Sequence, residues 1–440
     1  MPTPSLILVP ARFKTGKLYT PVATTSGGVV LGASGDFNVT RATTATRFNS
    51  AGLIESVASG VPRLDYYTSG GTAGCPALLV EPSAANGILN SADTTTSWTL
   101  GANLSSGYVD VIGVSGNNLT VAVSGSNIGA NAGRHSRGAN GVSLASGSTY
   151  TISFLMKKTG THTIGAYYAV IGSQDISSGF DVSGSFSSGS IYNPNNATNR
   201  IRRVERFGTD VFRCSETFTM TASATLTNFH FAPVVAVTNG TNSASGTTMA
   251  FAAPQIELGA IPTSFIPTNT AAVTRNADVI NVSGAVSGCV GQTEGTVYWE
   301  GYFGNAQGAL AQDGFQIGNN ANNYIYFGVN SGRPYFRLRA NAINAVTISP
   351  IGNVIQNNQK IKIAIAYKSG NSALFVNGTQ IGSTDTASFT FSSSLSAIEI
   401  GSSLSLSSSE GFSNSPKKPE SFTFYTTRLT DTQLAALTTL

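Results

Sequence analysis

Residues 360–381 read Lys360-Ile361-Lys362-Ile363-Ala364-Ile365-Ala366-Tyr367-Lys368-Ser369-Gly370-Asn371-Ser372-Ala373-Leu374-Phe375-Val376-Asn377-Gly378-Thr379-Gln380-Ile381. Ile361, Ile363, Ile365 and Tyr367 fall on one face, with Lys360, Lys362, Ala364 and Ala366 on the other. This is the period of two of a half-buried strand. Leu374-Phe375-Val376 and Thr379-Gln380-Ile381 flank Asn377-Gly378. Asn-Gly supplies the two positive-φ residues of a type I′ turn, so the stretch predicts a tight hairpin.

The pattern extends in both directions. A strand is expected from Ser421 to Tyr425, followed by a short helix. Thr430-Asp431-Thr432-Gln433 fits a capping box, with Leu434 and Leu437 docking the helix on a sheet. Upstream, Tyr150, Ile152, Phe154 and Met156 alternate with Thr151, Ser153, Leu155 and Lys157. Phe212, Cys214, Glu216, Phe218 and Met220 share one face, which points Cys214 into a core. Phe229 and Phe231 face away from His230. Gly/Ser/Asn clusters separate these runs at short spacing, as in sandwiches and barrels. The fold class expected is therefore all-β, two antiparallel β-sandwiches of jelly-roll type. They span 91–280 and 285–440, joined by a linker from Asn281 to Gln292. Residues 1–90, punctuated by Pro10, Pro21, Pro62, Pro76 and Pro82, read as a loop-rich N-terminal arm with short strands at 36–40 and 52–57.

Composition agrees. Of 440 residues only 10% are charged, against about 25% in ordinary globular proteins. With 41% hydrophobic residues this is neither a disordered chain nor a coiled coil. A net charge of +4 is too thin for nucleic-acid binding by phosphate neutralisation. No run of 18 apolar residues predicts a membrane span. The opening Met1-Pro2-Thr3-Pro4-Ser5 has no basic start and is not expected to be a secretory leader. Cys75, Cys214 and Cys289 have no CxxC spacing and read as reduced thiols, with neither a disulfide framework nor a zinc site expected.

Several further motifs stand out along the chain. They are Phe37, Thr40-Arg41-Ala42-Thr43-Thr44-Ala45-Thr46-Arg47, Gly52-Leu53-Ile54-Glu55, Val61-Pro62-Arg63-Leu64-Asp65-Tyr66, Cys75 to Pro82, and Asn86. Far downstream stand Ala253-Pro254-Gln255-Ile256-Glu257-Leu258-Gly259, Pro262-Thr263-Ser264-Phe265-Ile266-Pro267-Thr268 and Thr274-Arg275-Asn276-Ala277-Asp278. Together they resemble virion structural proteins of tailed bacteriophages, fibre-like or appendage proteins with carbohydrate-binding-module-like jelly rolls. The C-terminal third resembles concanavalin A-like (laminin-G-like) lectin domains through its Asn-Gly hairpin and terminal strand and helix. The resemblance implies an attachment or wrapping segment at 1–90, a carbohydrate-binding-module-like sandwich at 91–280 and a lectin-like sandwich at 285–440. It departs at Asn86-Gly87-Ile88, where a larger side chain is expected in place of Gly87 and a looser turn follows.

Catalysis is not expected. Glycoside hydrolysis needs two opposed carboxylates. Here Glu294 and Glu300 are six apart, Glu410 and Glu420 stand in polar, loop-like sequence, and no ExDxxE cluster exists. His135, His162 and His230 have no GxSxG partner, and His230 reads as an exposed sheet residue. Asp313, Asn319, Asn320 and Asn322 could offer hard oxygen ligands to calcium but read as a polar hairpin loop, so no metal and no cofactor is expected. The run Arg200-Ile201-Arg202-Arg203-Val204-Glu205-Arg206 reads as a solvated strand edge, the alternative being an anionic-glycan or subunit contact. Trp299 is expected in the core.

A binding face is read from alternation. Ile325, Phe327, Phe336 and Leu338 point inward, which would display Tyr324, Tyr326, Tyr335, Arg337 and Arg339 outward as a ligand-binding set. The alternative is β propensity or packing against another subunit. The function expected is a non-enzymatic phage appendage of the tail-fibre or receptor-binding type. It would be assembled in the host cytoplasm, attached to other virion proteins through residues 1–90, homo-oligomeric (a trimer by analogy with phage appendages) and presented to bacterial surface glycans. The alternative is a purely structural virion subunit, such as a capsid decoration, head fibre, collar or tail component. A polysaccharide depolymerase would need a carboxylate pair in a cleft.

Overall fold

The computed structural model describes residues 1–8, 10, 13–19, 22–23, 29–30, 36–67, 73–128, 133–138, 140–192, 196–306, 312–349, 352, 354–401 and 416–440. Among these, two antiparallel sandwiches and three small two-stranded sheets form, with one short α-helix at Asp431–Thr438. The all-β, two-sandwich reading holds.

The first sandwich packs a six-stranded sheet on an eight-stranded one. The six-stranded sheet carries Thr149–Lys157 between Val211–Met220 and Thr248–Leu258, with Ala197–Arg206 at its edge. The inward sets are those the alternation gives. Ile152, Phe154, Met156 and Cys214 meet Tyr167, Phe180, Phe229 and Phe231 in one apolar cluster. Phe231 stacks on Phe251 at 4.9 Å. A carboxylate lies inside this core. Glu216 is fully buried and accepts the Tyr167 hydroxyl at 2.7 Å. Arg200 and Arg202 reach it from the edge strand, Arg202 at 3.2 Å. Arg200 also donates to Tyr192 O at 2.8 Å and Ser178 Oγ at 2.9 Å on the opposing sheet. Half of the basic run thus stitches the sandwich's open edge shut instead of facing solvent. An unpaired carboxylate buried there would be costly, so the arginines are what make Glu216 tolerable.

His230 is a correction. It faces away from Phe229 and Phe231, yet it is 1% exposed, with Nδ1 2.7 Å from Ser136 Oγ and Tyr168 beside it. His135 is equally buried beneath Trp98, with Nε2 2.8 Å from Thr94 O. Burial holds both imidazoles neutral, down to about 3 for His230 and about 4 for His135.

The second sandwich draws on both ends of the chain. Leu6–Leu8 pairs with Lys417–Tyr425, so that Leu6 lies opposite Phe424. Phe37–Thr40 pairs with Val279–Ser283, which pairs in turn with Ala397–Gly401. Leu6, Leu8, Phe37, Val39, Ile280 and Val282 join one core with Trp299, Ile363, Phe315 and Phe422. This differs from the sequence reading twice. Part of the expected arm supplies strands to this sandwich, and the expected linker at 281–292 begins inside a strand with sheet neighbours on both sides. Strands of three to five residues carry too little periodicity to be read alone, and their partners lie hundreds of residues away. The Asn-Gly hairpin is as expected, with Asn377 at φ 49° and Gly378 at φ 82°. So is the capping box, in which Thr430 accepts from Gln433 N while the Gln433 side chain accepts from Thr430 N.

The hairpins Ala45–Phe48/Ile54–Val57 and Leu64–Tyr67/Ala73–Leu78 and the long-range strand pair Ala84–Asn86/Val273–Arg275 lie between the sandwiches. Phe48 and Ile54 pack on the first sandwich's outer face, while Leu64, Leu78 and Val80 belong to the second core. Here the motif residues converge. Arg63 Nη1 donates to Glu81 at 2.8 Å, and its Nη2 grips Asp278. Arg41 Nη1 donates to Asp278 Oδ1 at 2.9 Å, and Arg275 lies 3.6 Å from Glu81. All five side chains are buried. Asn86 Nδ2 donates to Pro254 O and Ile266 O while its Oδ1 accepts from Ile256 N and Ile88 N. Ile266 N donates to Gln255, and both Thr263 N and its hydroxyl donate to Glu257. A larger side chain at Gly87 has no room, because a Cβ there would stand 2.5 Å from Val142 Cγ2. Glycine tightens this turn rather than loosening it.

Two outcomes follow. Arg63→Met should cost about 3–5 kcal/mol in chemical denaturation, since it removes the one cation that bonds both buried carboxylates. A loss below about 1 kcal/mol would show the network to be incidental. The unfolded chain protonates its histidines near pH 6.5, but the native chain does so only near 4 and 3. Stability should therefore fall as pH drops from 6.5 toward 4, by about 1.4 kcal/mol per pH unit for each buried histidine. His230→Asn should flatten that slope by one histidine's share, and an unchanged slope would exclude His230 as its source.

Candidate functional site

The expected tyrosine face is corrected by burial. Tyr324 and Tyr326 do lie opposite the core-facing Ile325 and Phe327, but both are 0% exposed. The Tyr326 hydroxyl donates to Asp313 Oδ1 at 2.8 Å. Tyr335, Arg337 and Arg339 are half-buried on the next strand, with the Arg337 guanidinium 5.0 Å from the Tyr335 ring. The alternation puts these residues on the outer side, but it carries no information on what covers a sheet.

The candidate calcium residues are not gathered. Asn320 Oδ1 accepts from Asn322 N and Asn323 N, closing a turn. Asp313 lies six residues back along the strand from Asn319, about 20 Å away at 3.4 Å per residue. Glu410 lies outside the described residues. Glu420 stands on the strand Lys417–Tyr425, not in a loop. It and Glu300 are drawn together by one ammonium, Lys360 Nζ lying 2.6 Å from Glu420 and 2.7 Å from Glu300. The Tyr298 hydroxyl also donates to Glu300 at 2.7 Å. Burial raises the Glu300 carboxyl, but Lys360 and Tyr298 outweigh it and hold the group below its usual range. A carboxylate so held does not act as a general acid near neutral pH. Glu294 pairs with Lys368 at 3.2 Å.

A cleft of about 120 Å³ opens where the hairpin region meets the two sandwiches. Its floor is the outer face of the six-stranded sheet, with Ser153, Leu155, Arg203, Glu205 and Arg213. Phe48 and the Pro262–Phe265 segment form one wall. Asn357, Asn358 and Lys418 bring the second sandwich to the other. The strand alternation explains the floor. Arg202 and Val204 turn toward the core side with Glu216 and Cys214, so Arg203 and Glu205 face out.

The geometry combines rings with planar hydrogen-bonding groups. Phe48 and Phe207 meet edge to face at 5.0 Å. The Arg213 guanidinium lies 4.7 Å from the Phe207 ring centroid, a cation–π contact, and Arg213 Nη2 is 2.6 Å from Glu205 Oε2. Asn358 Nδ2 donates to Glu205 Oε1 at 3.0 Å across the two sandwiches. Lys418 Nζ lies 2.5 Å from Asp65 Oδ2, while Phe48 N donates to Asp65 Oδ1 at 2.7 Å. At the back, Glu81 accepts from Ser264 N at 2.8 Å and Ser264 Oγ at 2.6 Å. Burial pushes the Glu81 carboxyl up, but Arg275, Arg63 and the Ser264 hydroxyl outweigh it and hold it at about 2.

Each carboxylate lining the cleft is thus paired with a cation. The site can hold a polar ligand, but it offers no acid poised to protonate a leaving group. Sequence reasoning missed it because its residues come from segments hundreds of positions apart. The available signal was Glu205 inside an arginine run, alternating with Arg203 on the face opposite Arg202 and Val204.

No protein-family model matches the chain, and no curated protein matches it in sequence. Solved structures match parts of it. The CBM40 module of Ruminococcus gnavus IT-sialidase, bound to alpha2,3 sialyllactose, is 17% identical, with 34% of this chain and 84% of that chain covered at a TM-score of 0.28. The receptor binding domain of botulinum neurotoxin C/D mosaic serotype is 11% identical, with 36% and 40% covered at 0.29. The native heptameric SAP-like pentraxin of Limulus polyphemus is 18% identical, with 32% and 68% covered at 0.26.

The Asn358–Glu205 bond is exposed and should contribute little to stability. Asn358→Ala is expected to lower unfolding free energy by under about 1 kcal/mol. A loss like that expected for Arg63→Met would move the joint between the sandwiches from the buried network to the cleft rim.

Proposed function

We propose that the chain is a non-catalytic, lectin-like component of a tailed-phage particle, holding a bacterial surface glycan in the cleft between its sandwiches. The observation that carries the reading is the makeup of that cleft. The half-buried Phe48 ring, backed by the buried Phe207, stands beside planar donors and acceptors at Arg213, Glu205 and Asn358, and each lining acid is already ion-paired. Sugar rings present apolar C–H faces and equatorial hydroxyls, which suit such a mixture, as aromatic bodies with polar neighbours suit amphipathic ligands generally. The phage assignment rests on the motif resemblance from Phe37 to Asn86 and from Ala253 to Asp278. With it come location in the virion, attachment to other virion proteins and assembly as a homo-oligomer, a trimer by analogy with phage appendages.

A second reading, a purely structural virion subunit, is favoured by one observation. Tyr324 and Tyr326 are fully buried, which removes the tyrosine face as a recognition platform.

Fluorescently labelled protein should bind host cells, lose that binding after periodate oxidation of surface glycans, and release no reducing ends from the isolated polysaccharide. Phe48→Ala should weaken cell binding at least tenfold, provided its melting curve shows it folded. Binding that survives periodate would sink the lectin reading, and release of reducing ends would sink the non-catalytic one.

A further inference from the structure

The ion pairs of the cleft leave one cation over. Arg47 pairs with Glu55 at 2.8 Å, Arg213 with Glu205 and Lys418 with Asp65. Arg203 lines the same cleft, and among the described residues it makes no ion pair within 4.0 Å. Its Nη1 is buried and has no hydrogen-bond partner. Neighbouring Glu205 is held by Arg213 and Asn358 instead. Burial lowers the Arg203 guanidinium from its ordinary value, and Glu205 only partly offsets this, while Arg213 adds to it. A half-buried guanidinium with an unused N–H is an unfavourable arrangement unless an anion completes it.

We infer that the glycan held in this cleft is acidic, and that its carboxylate is received by Arg203. The inference rests on the reading of the cleft as a sugar site and names the class of sugar. Because Nη1 is buried, the side chain must turn outward to offer it, and the planar fork then accepts a carboxylate through two parallel N–H···O bonds. The charge balance says why a carboxylate suits the position, since the other cations on the rim are already matched. Hexuronic acids and nine-carbon keto-acid sugars share this chemistry, and both are carried on bacterial surfaces.

The test uses the full chain on a printed array holding hexuronate oligosaccharides, nine-carbon keto-acid glycans, their carboxyl-reduced counterparts, neutral glycans and sulfated glycans. The expected result is binding to one carboxylate class at least tenfold tighter than to its carboxyl-reduced form, weakened by raising salt from 50 to 500 mM. The class bound identifies the source. Arg203→Gln should abolish the preference without shifting the melting temperature, and Arg203→Lys, a point charge without the fork, should restore part of it. Equal binding of acidic and reduced forms, preference for sulfate, or an Arg203→Gln variant with the preference intact would overturn the inference and leave the lectin reading standing. No binding to any glycan would overturn both.

Discussion

Arg41, Arg63 and Arg275 are sunk with Glu81 and Asp278 in the joint between the sandwiches, where hardly any water reaches them. The two carboxylates come from positions 81 and 278, so the network forms only when the entry and exit strands of the first sandwich lie side by side. Desolvating five charges is unfavourable, and their mutual attraction recovers that cost only in good geometry. A wrong docking of the sandwiches would leave buried charges unmatched. The network therefore selects one arrangement more than it adds stability, and the cleft, whose walls come from both sandwiches and the hairpins between them, inherits its shape from that selection.

The same logic explains why none of the acids lining the cleft is left without a cation. Charges brought into a half-buried joint must be balanced where they stand, and the balancing uses up the acids. Asp65 goes to Lys418, Glu205 to Arg213 and Glu81 to Arg63. A hydrolase needs an acid left unpaired and desolvated, with a raised pKa. This joint leaves over a cation instead.

The sequence made the long strands legible because they bury one face. Ile361 to Tyr367 and Tyr150 to Met156 declare their core residues through a period of two, and the Asn-Gly turn and the Thr430 cap are set by local backbone chemistry. What it hid was pairing over distance. Leu6–Leu8 is three residues long and finds its partner some four hundred residues later. His230 and Tyr324 were placed on the correct side of their sheets, but alternation reports a side and not the cover laid over it. The motifs from Arg41 to Glu81 and from Gln255 to Asp278 stood out as residues without revealing that they touch one another. For the cleft, Arg203 and Glu205 were visible only as members of a charged run.

The strand pair Ala84–Asn86 and Val273–Arg275 has Asn86 opposite Val273, so the chain leaves for the first sandwich and returns from it at a single neck. Everything between those positions is, in topological terms, an insert in a loop of the other sandwich. Such a socket tolerates exchange. A gene that swapped the segment between the two neck strands could fit a different head to the same body, changing half of the cleft while leaving the other sandwich's pairing intact. The two halves of the cleft can thus diverge separately while staying joined at two short sites.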